Sequence, residues 1–419
     1  MKRLKILVSA FACNPDESKR IYPGEDDTGW RLVEQIIRFH DVWVITHSYN
    51  KEGIEKALSE EQRMNVNFIY LRLPVLLRFL DKVEFGKRIY YYLWQVFAWK
   101  MARKLHREIN FDLIHHVTFG NDWMPSFMGA FLPIPFIWGP VGGGQKTPEG
   151  LMREFSLYGR FAEKVRSAAQ GFGRKLFVRR KCTKKAHAIL VCNRETSSKF
   201  PKKYHNKIHF FPVNGIPNKE FKSIENMDKQ IRQSPFRVLS AGRLHRLKGF
   251  SLAIKSFHKF CSSFPDSELV IVGNGQEYRR LEQLIQTLGL NSRVMLHPWV
   301  QREELLKMMH SCDVFLFSSF RDGGGAVVVE AMACGKPIIC LDTGGPGFHV
   351  RPEFGMKISP IYSEHAVDKM AEALEKLYLD EDLMRKMGIA ARKRAEDYYV
   401  WDRLGERMQE IYWRALGVQ

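Results

Sequence analysis

Residues 313–347 read DVFLFSSFRDGGGAVVVEAMACGKPIICLDTGGPG. An apolar run, VFLFS, passes through a triple-glycine turn into an apolar segment, and a second apolar run, KPIICLD, enters a second glycine turn. Runs of four to six apolar residues separated by helix-length segments form the repeating unit of a parallel sheet covered by helices on both faces. Working outward, FRVLSAG (236–242), SELVIVG (267–273) and RVMLH (293–297) precede the stretch with the same rhythm. The first half carries it independently in KILVSA (5–10), VWVIT (42–46), VNFIYL (66–71), FDLIHHV (111–117), PFIWG (135–139) and AHAILVC (186–192). The pattern predicts two doubly wound α/β domains over 1–214 and 236–398. A polar, weakly periodic linker joins them at 215–235, and a last helical segment follows at 399–419.

At 419 residues the chain is long enough for two such domains. Its 45% hydrophobic and 12% aromatic residues exclude disorder over most of its length. The formal charge of +19 asks for an anionic partner, namely nucleic acid, a membrane surface or a phosphorylated substrate. Seven cysteines with no CxxC spacing fit neither a zinc site nor a disulfide framework and point to a reducing cytosol. The apolar run Ile6–Ala12 reads as a buried strand. The long uncharged stretch 123–144 contains Pro125, Pro133, Pro135 and Pro140, which could not keep a lipid-exposed helix together. No membrane span is expected.

Ligands of open parallel sheets bind beyond the carboxyl ends of the strands, so the chemistry is sought in the strand-to-helix loops. After VLSAG come Arg243 and Lys248, two cations beside a helix start, where fixed charge and free amides converge on a diphosphate. The other reading of this loop is plain solvated charge. In the second loop Asp322 precedes the Gly323–Gly325 turn, and Glu330 stands eight residues later in an apolar helix. Glu330 is either a buried acid paired to a base or a carboxylate that takes two hydrogen bonds from a ribose diol. In the first half, Gly24–Gly29 opens a helix and is made acidic by Glu25, Asp26 and Asp27. That suits a hydroxyl-rich acceptor, or is simply a favourable helix start. His115 and His116 end their strand, one toward each face.

The ordered set AGRLHRLKG, ELVIVGNG, RVMLHPWV, DGGGAVVVEAMACGKPII and TGGPG resembles the carboxyl-terminal domain of retaining GT-B glycosyltransferases of family 4, the glycosyl transferase group 1 type. PGEDDTGW, FDLIHHVTFG and IWGPVGGGQKTP resemble the amino-terminal domain of a subgroup, and YYVWDRLGERMQEIYWRAL the closing helix. The resemblance implies a GT-B fold, with two facing Rossmann-like domains and a last helix returning to the first. It implies a hexosyltransferase-type enzyme in which Arg243 and Lys248 hold the diphosphate of a UDP- or GDP-sugar and Glu330 holds the ribose. Asp322 stands where the family has a glutamate toward the transferred sugar and is one methylene shorter. Gly273, Gly323 and Gly324 would offer backbone to the donor, and Val300 main-chain contacts to the base. Gly24, Gly29, Gly142 and Gly143 would line the acceptor side or approach the donor phosphates. A strand-end histidine near the sugar is His116, with His115 as the alternative, because the family's His-x-His spacing is here an adjacent pair. No cofactor and no metal is expected.

Residues 151–185 hold eleven basic side chains and two acidic ones, a net +9. Leu151, Phe155, Tyr158, Phe161, Val165, Ala168, Phe172 and Leu176 form one apolar stripe through them. The stripe either packs on the sheet or lies on an anionic membrane. A second aromatic and basic run, KRIYYYLWQVFAWKMARK from Lys87, adds to the membrane reading. Together these features describe a cytoplasmic, peripheral enzyme on the inner face of a membrane, transferring sugar to a glycan or lipid-linked acceptor in envelope polysaccharide or glycolipid synthesis. The alternative is a non-catalytic protein of the same fold that holds a nucleotide sugar or glycan. Nucleic acid is not an expected partner, since the aromatics follow helical spacing and no recognition motif accompanies them.

Overall fold

The computed structural model describes residues 3–82, 86–225 and 235–417. By internal contacts the chain divides into two units. The first comprises Met1–Gly144, Ala168–Val213 and Leu404–Gln419, and the second Gln145–Ser167 and Asn214–Arg403.

The first unit is built on a seven-stranded parallel sheet. Its strands are β1 (Lys5–Ala10), β2 (Asp41–His47), β3 (Val66–Leu71), β4 (Leu113–His116), β5 (Phe136–Val141), β6 (Ala188–Val191) and β7 (Ile208–Phe210). They lie in the order β3-β2-β1-β4-β5-β6-β7. The second unit holds six parallel strands, β8 (Phe236–Ala241), β9 (Ser267–Val272), β10 (Val294–His297), β11 (Val314–Phe317), β12 (Ile338–Leu341) and β13 (Gly355–Ile358), in the order β10-β9-β8-β11-β12-β13. Both sheets reverse direction of growth beside their first strand, the arrangement of a Rossmann-like fold. The reversal opens a crevice beyond β1 and β4 in one unit and beyond β8 and β11 in the other.

Continuous apolar runs form these strands because both faces are covered. In β8, Val238 enters one core and Leu239 the other; in β11, Phe315 and Leu316 divide in the same way. All four are fully buried, and each such side chain contributes about 1.5–3 kcal/mol of transfer free energy. Helix Ala326–Ala333, AVVVEAMA, carries three β-branched residues that weaken a helix in isolation. Burial of six of its eight residues holds it in place.

Several boundaries differ from the sequence expectation. Residues 145–167 cluster with the second unit rather than the first. The expected linker contains helix Asn218–Glu225, whose Phe221 and Ile224 are buried in the second unit's core; residues 226–234 lie outside the described residues. The closing helix is Trp401–Ala415, and from Leu404 onward it belongs to the first unit. There Tyr412 meets His115, and Gly405 abuts Gln35 so closely that a Cβ would stand 2.5 Å from its Oε1. The run from Lys87 turns its basic residues Arg88, Lys100, Arg103 and Lys104 to the surface and most of its aromatics inward. Within helix Gly86–Ile109, Tyr90, Tyr91, Trp94, Ala98 and Ala102 are buried in the first core. All seven cysteines are free and buried. Among the described residues, no helix is long and apolar enough to cross a membrane.

Candidate active site

In the second unit the two loops singled out in the sequence meet at the crevice beyond β8 and β11. The loop after β8 turns at Gly249, whose φ of 65° is left-handed and whose Cβ would stand 2.1 Å from the Ser318 carbonyl oxygen. Only glycine fits there. The loop is pinned to the residues after β11 by Ser318 Oγ donating to the Lys248 carbonyl at 3.2 Å. Ser319 Oγ and the Phe320 amide donate to the Leu247 carbonyl at 3.1 and 2.8 Å. This lays Lys248 across the turn, with its Nζ 2.5 Å from Asp322 Oδ2. Asp322 Oδ1 accepts the amides of Gly324 and Gly325 at 3.1 and 2.7 Å, so the acid caps its own glycine turn. Burial pushes the Asp322 carboxyl up, but the Lys248 charge, its hydrogen bond and the two amides outweigh this and hold it below the ordinary carboxylate range. Arg243 is exposed and, among the described residues, its side chain has no hydrogen bond or ion pair.

The glycine turn is braced from behind by 343–347. The Gly345 amide donates to the Asp322 carbonyl at 2.9 Å, and a Cβ on Gly344 would meet the same oxygen at 2.1 Å. His349, absent from the sequence expectation, is buried with Nε2 2.9 Å from the Gly324 carbonyl and Nδ1 2.8 Å from Tyr399 Oη. A carbonyl only accepts, so Nε2 carries the proton and Nδ1 accepts from the tyrosine. Burial drops the imidazole pKa to about 4, so the ring is neutral at physiological pH. Arg321, beside Asp322, shares Glu163 with Arg166. Gly273 approaches the first loop, where a Cβ would lie 2.0 Å from the Gly242 carbonyl oxygen. Its small size therefore serves loop packing. Val300 is half-buried against the second core, and the neighbouring Trp299 is 60% exposed.

Glu330 is 5% exposed and ion-paired to Arg302, which also holds Glu220. Of the two readings of this acid, the structure shows the ion pair. Arg302 opens a different helix, Arg302–Ser311, so no sequence spacing connects it to Glu330.

The first unit has a corresponding contact beyond β1 and β4. Glu25, in the first turn of helix Pro23–Ile37, accepts the amide of Phe119 at 2.8 Å, and Phe119 has a left-handed φ of 54°. Burial raises the Glu25 carboxyl to about 7 against the opposing amides of Phe119 and Gly120, with the Asp26 charge adding to the rise. Asp26 is fully buried and accepts from the amides of Asn14 and Tyr22 and from Tyr49 Oη. Asp27 pairs with Arg20 at 2.8 Å. The three acids thus have three separate sets of partners. Gly29 is buried, and a Cβ there would meet the Ala12 carbonyl oxygen at 2.1 Å, so it packs against protein; Gly24 is exposed with open space around it. Gly142 and Gly143 are half-buried, and Gly143, at φ 89°, lies against Asn121 and Asp122.

The histidine pair is placed differently from the expectation. Both rings are buried, His115 entirely and His116 to 1% exposure. His115 Nε2 donates to the Gly139 carbonyl at 2.7 Å and Nδ1 accepts from Tyr412 Oη at 2.6 Å, leaving no free nitrogen. His116 Nε2 lies 3.3 Å from Tyr91 Oη. Burial lowers the two imidazoles to about 4 and about 3. Among the described residues no group of three histidine, cysteine or acidic side chains is assembled as a metal site.

The amphipathic stripe divides in two. Leu151 and Phe155 are buried in the second core. In helix Leu157–Lys175, by contrast, Leu157, Tyr158, Phe161, Val165 and Phe172 are 51–82% exposed.

Residues 222–394 match the model of a family described as glycosyl transferases group 1. The chain is 30% identical over 188 residues to the D-inositol 3-phosphate glycosyltransferase of Corynebacterium jeikeium. That match covers 42% of this chain and 44% of the relative, so the chain spans less than half of the relative's length. The crystal structure of a glycosyltransferase from Rickettsia africae has a TM-score of 0.65 at 15% identity, with 99% of both chains covered. HepE of Anabaena, solved in complex with UDP, has a TM-score of 0.59 at 16% identity, covering 97% of this chain and 99% of that one. At these identities the likeness is one of fold, and the fold is GT-B, with two Rossmann-like domains built on sheets of seven and six strands.

Proposed function

We propose that the chain is a glycosyltransferase that moves a sugar, with retention, from a nucleoside diphosphate donor to a glycan or lipid-linked acceptor. The observation that carries this reading is the contact of Lys248 with Asp322 over the glycine turn, inside the segment that matches the glycosyl transferases group 1 model. A diphosphate offers Lys248 more charge than one carboxylate does, so an arriving donor competes with Asp322 for the ammonium. Arg243, exposed on the same loop, adds a second cation. Asp322, released from Lys248 and still anchored by two amides, then presents an oxygen to sugar hydroxyls.

In this mechanism the bond from the sugar's anomeric carbon to the diphosphate breaks, with its electron pair leaving on the phosphate oxygen. The acceptor hydroxyl attacks on the same face, and its proton passes to that departing oxygen. The protein contributes positioning and charge stabilisation, not a nucleophile or a metal. UDP in the Anabaena neighbour and the inositol phosphate acceptor named for the C. jeikeium relative support the donor and acceptor classes. The exposed apolar stripe and its flanking charge support peripheral docking on an anionic membrane.

The test is a panel of UDP- and GDP-sugars incubated with the purified protein and candidate acceptors, with the anomeric configuration of the product read by NMR. Transfer with retention is the expected result. Inversion would overturn the mechanism, and binding of a donor with neither transfer nor hydrolysis would make the chain a binding protein.

A further inference from the structure

The first unit contains a second concentration of positive charge that the proposed donor site does not use. A cavity of about 950 Å³ lies between helix Phe177–Lys185 and residues 198–204. Eight of its fourteen lining residues are lysine or arginine and none is acidic. Several of these cations already have partners. Arg174 is held by Asp122, and Arg179 donates to the backbone carbonyls of Asp122 and Lys199. Arg180 and Lys184 are exposed, and their side chains have no hydrogen bond or ion pair among the described residues. Lys203 lies over the Tyr204 ring, at 5.1 Å. Lys185 is turned onto the Leu132 carbonyl, and burial together with the charge of Lys181 lowers its ammonium below the ordinary lysine range. Gathering eight cations around one hollow with no acid in its lining costs folding energy that the Asp122 pair with Arg174 offsets only in part, and a bound anion offsets more of it.

The cavity walls indicate the kind of anion. Phe177 lines it and is 70% exposed, as is Phe172 in the preceding helix. A soluble phosphate gains nothing from exposed phenyl rings, whereas a lipid offers a phosphate to the lysines and acyl chains to the rings. We propose that this basic cavity is a binding site for the phosphate headgroup of an anionic membrane phospholipid. The site fixes the protein's position on the bilayer through a specific headgroup contact instead of diffuse charge alone. This inference rests on the membrane docking proposed above and adds a defined site to it.

The full chain is tested by co-flotation with vesicles of phosphatidylcholine, alone or mixed with phosphatidylglycerol. Wild type is expected to float with the mixed vesicles only. Arg180→Glu with Lys184→Glu is expected to weaken that binding about tenfold or more, with an unchanged thermal melt. A control with the same charge change at exposed positions of the second unit, Arg279→Glu with Lys386→Glu, is expected to bind as wild type does. Equal loss in the two double variants would overturn the site and leave docking by net charge. Release of wild type by millimolar glycerol phosphate would overturn the lipid assignment in favour of a soluble anion. If wild type binds neither vesicle, membrane docking itself fails, which is distinct from failure of the headgroup site.

Discussion

Asp322 and Lys248 are partners of each other, and that sets what their substitution should do. Asp322→Asn removes the charge that occupies Lys248 but keeps an oxygen for the Gly324 and Gly325 amides. The variant is expected to bind a nucleoside diphosphate at least as tightly as wild type while sugar transfer falls about a hundredfold or more, with affinity read by calorimetry and rate by product formation. Glu25 carries a pH dependence of opposite sign from the usual carboxylate. Its folded pKa of about 7 lies above the ordinary 4.5, so the folded protein holds a proton that the unfolded chain has lost. The contribution of Glu25 to stability therefore falls as pH rises from the ordinary value to about 7, by up to roughly 3 kcal/mol. Glu25→Gln keeps the acceptor for the Phe119 amide and removes this contribution, so urea titrations should show the variant gaining stability relative to wild type as pH rises through that window. Neither property was legible in the sequence. The acids at 25 and 322 stood out, but the amides and the lysine that define them come from loops 94 and 74 residues away.

The elements that the sequence disclosed best are the central strands, because a strand buried on both faces is a continuous apolar run wherever it occurs. The edge strands β7 and β13 were missed. Each is three or four residues long with one side of its ladder open, so little hydrophobic signal marks it. The helix at 86–109 misled for the reverse reason, since aromatic and basic residues alternate there whether the aromatics face lipid or a core. Helix Leu157–Lys175 also mixes aromatic and basic residues, and only the structure separates the two by leaving the second one's apolar side uncovered. The loop geometry around Gly249 was legible as a glycine and a lysine but not as a close approach. Gly249→Ala must adopt a left-handed φ and displace the Ser318 carbonyl. A destabilisation of about 2 kcal/mol or more is expected, together with loss of nucleotide affinity, in thermal and calorimetric measurements on the same variant.

On the scale of the whole molecule, five buried histidines set the acid limit of stability. His40, His47, His115 and His349 are lowered to about 4 and His116 to about 3, each chiefly by burial. The unfolded chain takes up these protons near pH 6.5 while the folded chain refuses them, so stability is lost as pH falls from about 6.5 toward about 4. Urea midpoints should drop steeply over that range, and a flat profile would show that the rings are protonated in the fold. On the proposed reading the +19 charge divides between two tasks, a donor site in the second unit and a lipid-facing helix whose adjoining basic cavity lies in the first. Calorimetric titration of the full chain with UDP and with GDP is the most direct test of that division. The account predicts that one nucleotide binds, that Lys248→Ala weakens it about tenfold or more, and that Arg180→Glu with Lys184→Glu leaves it unchanged. Binding of neither nucleotide, or binding indifferent to Lys248 and abolished by the pair at 180 and 184, would contradict it.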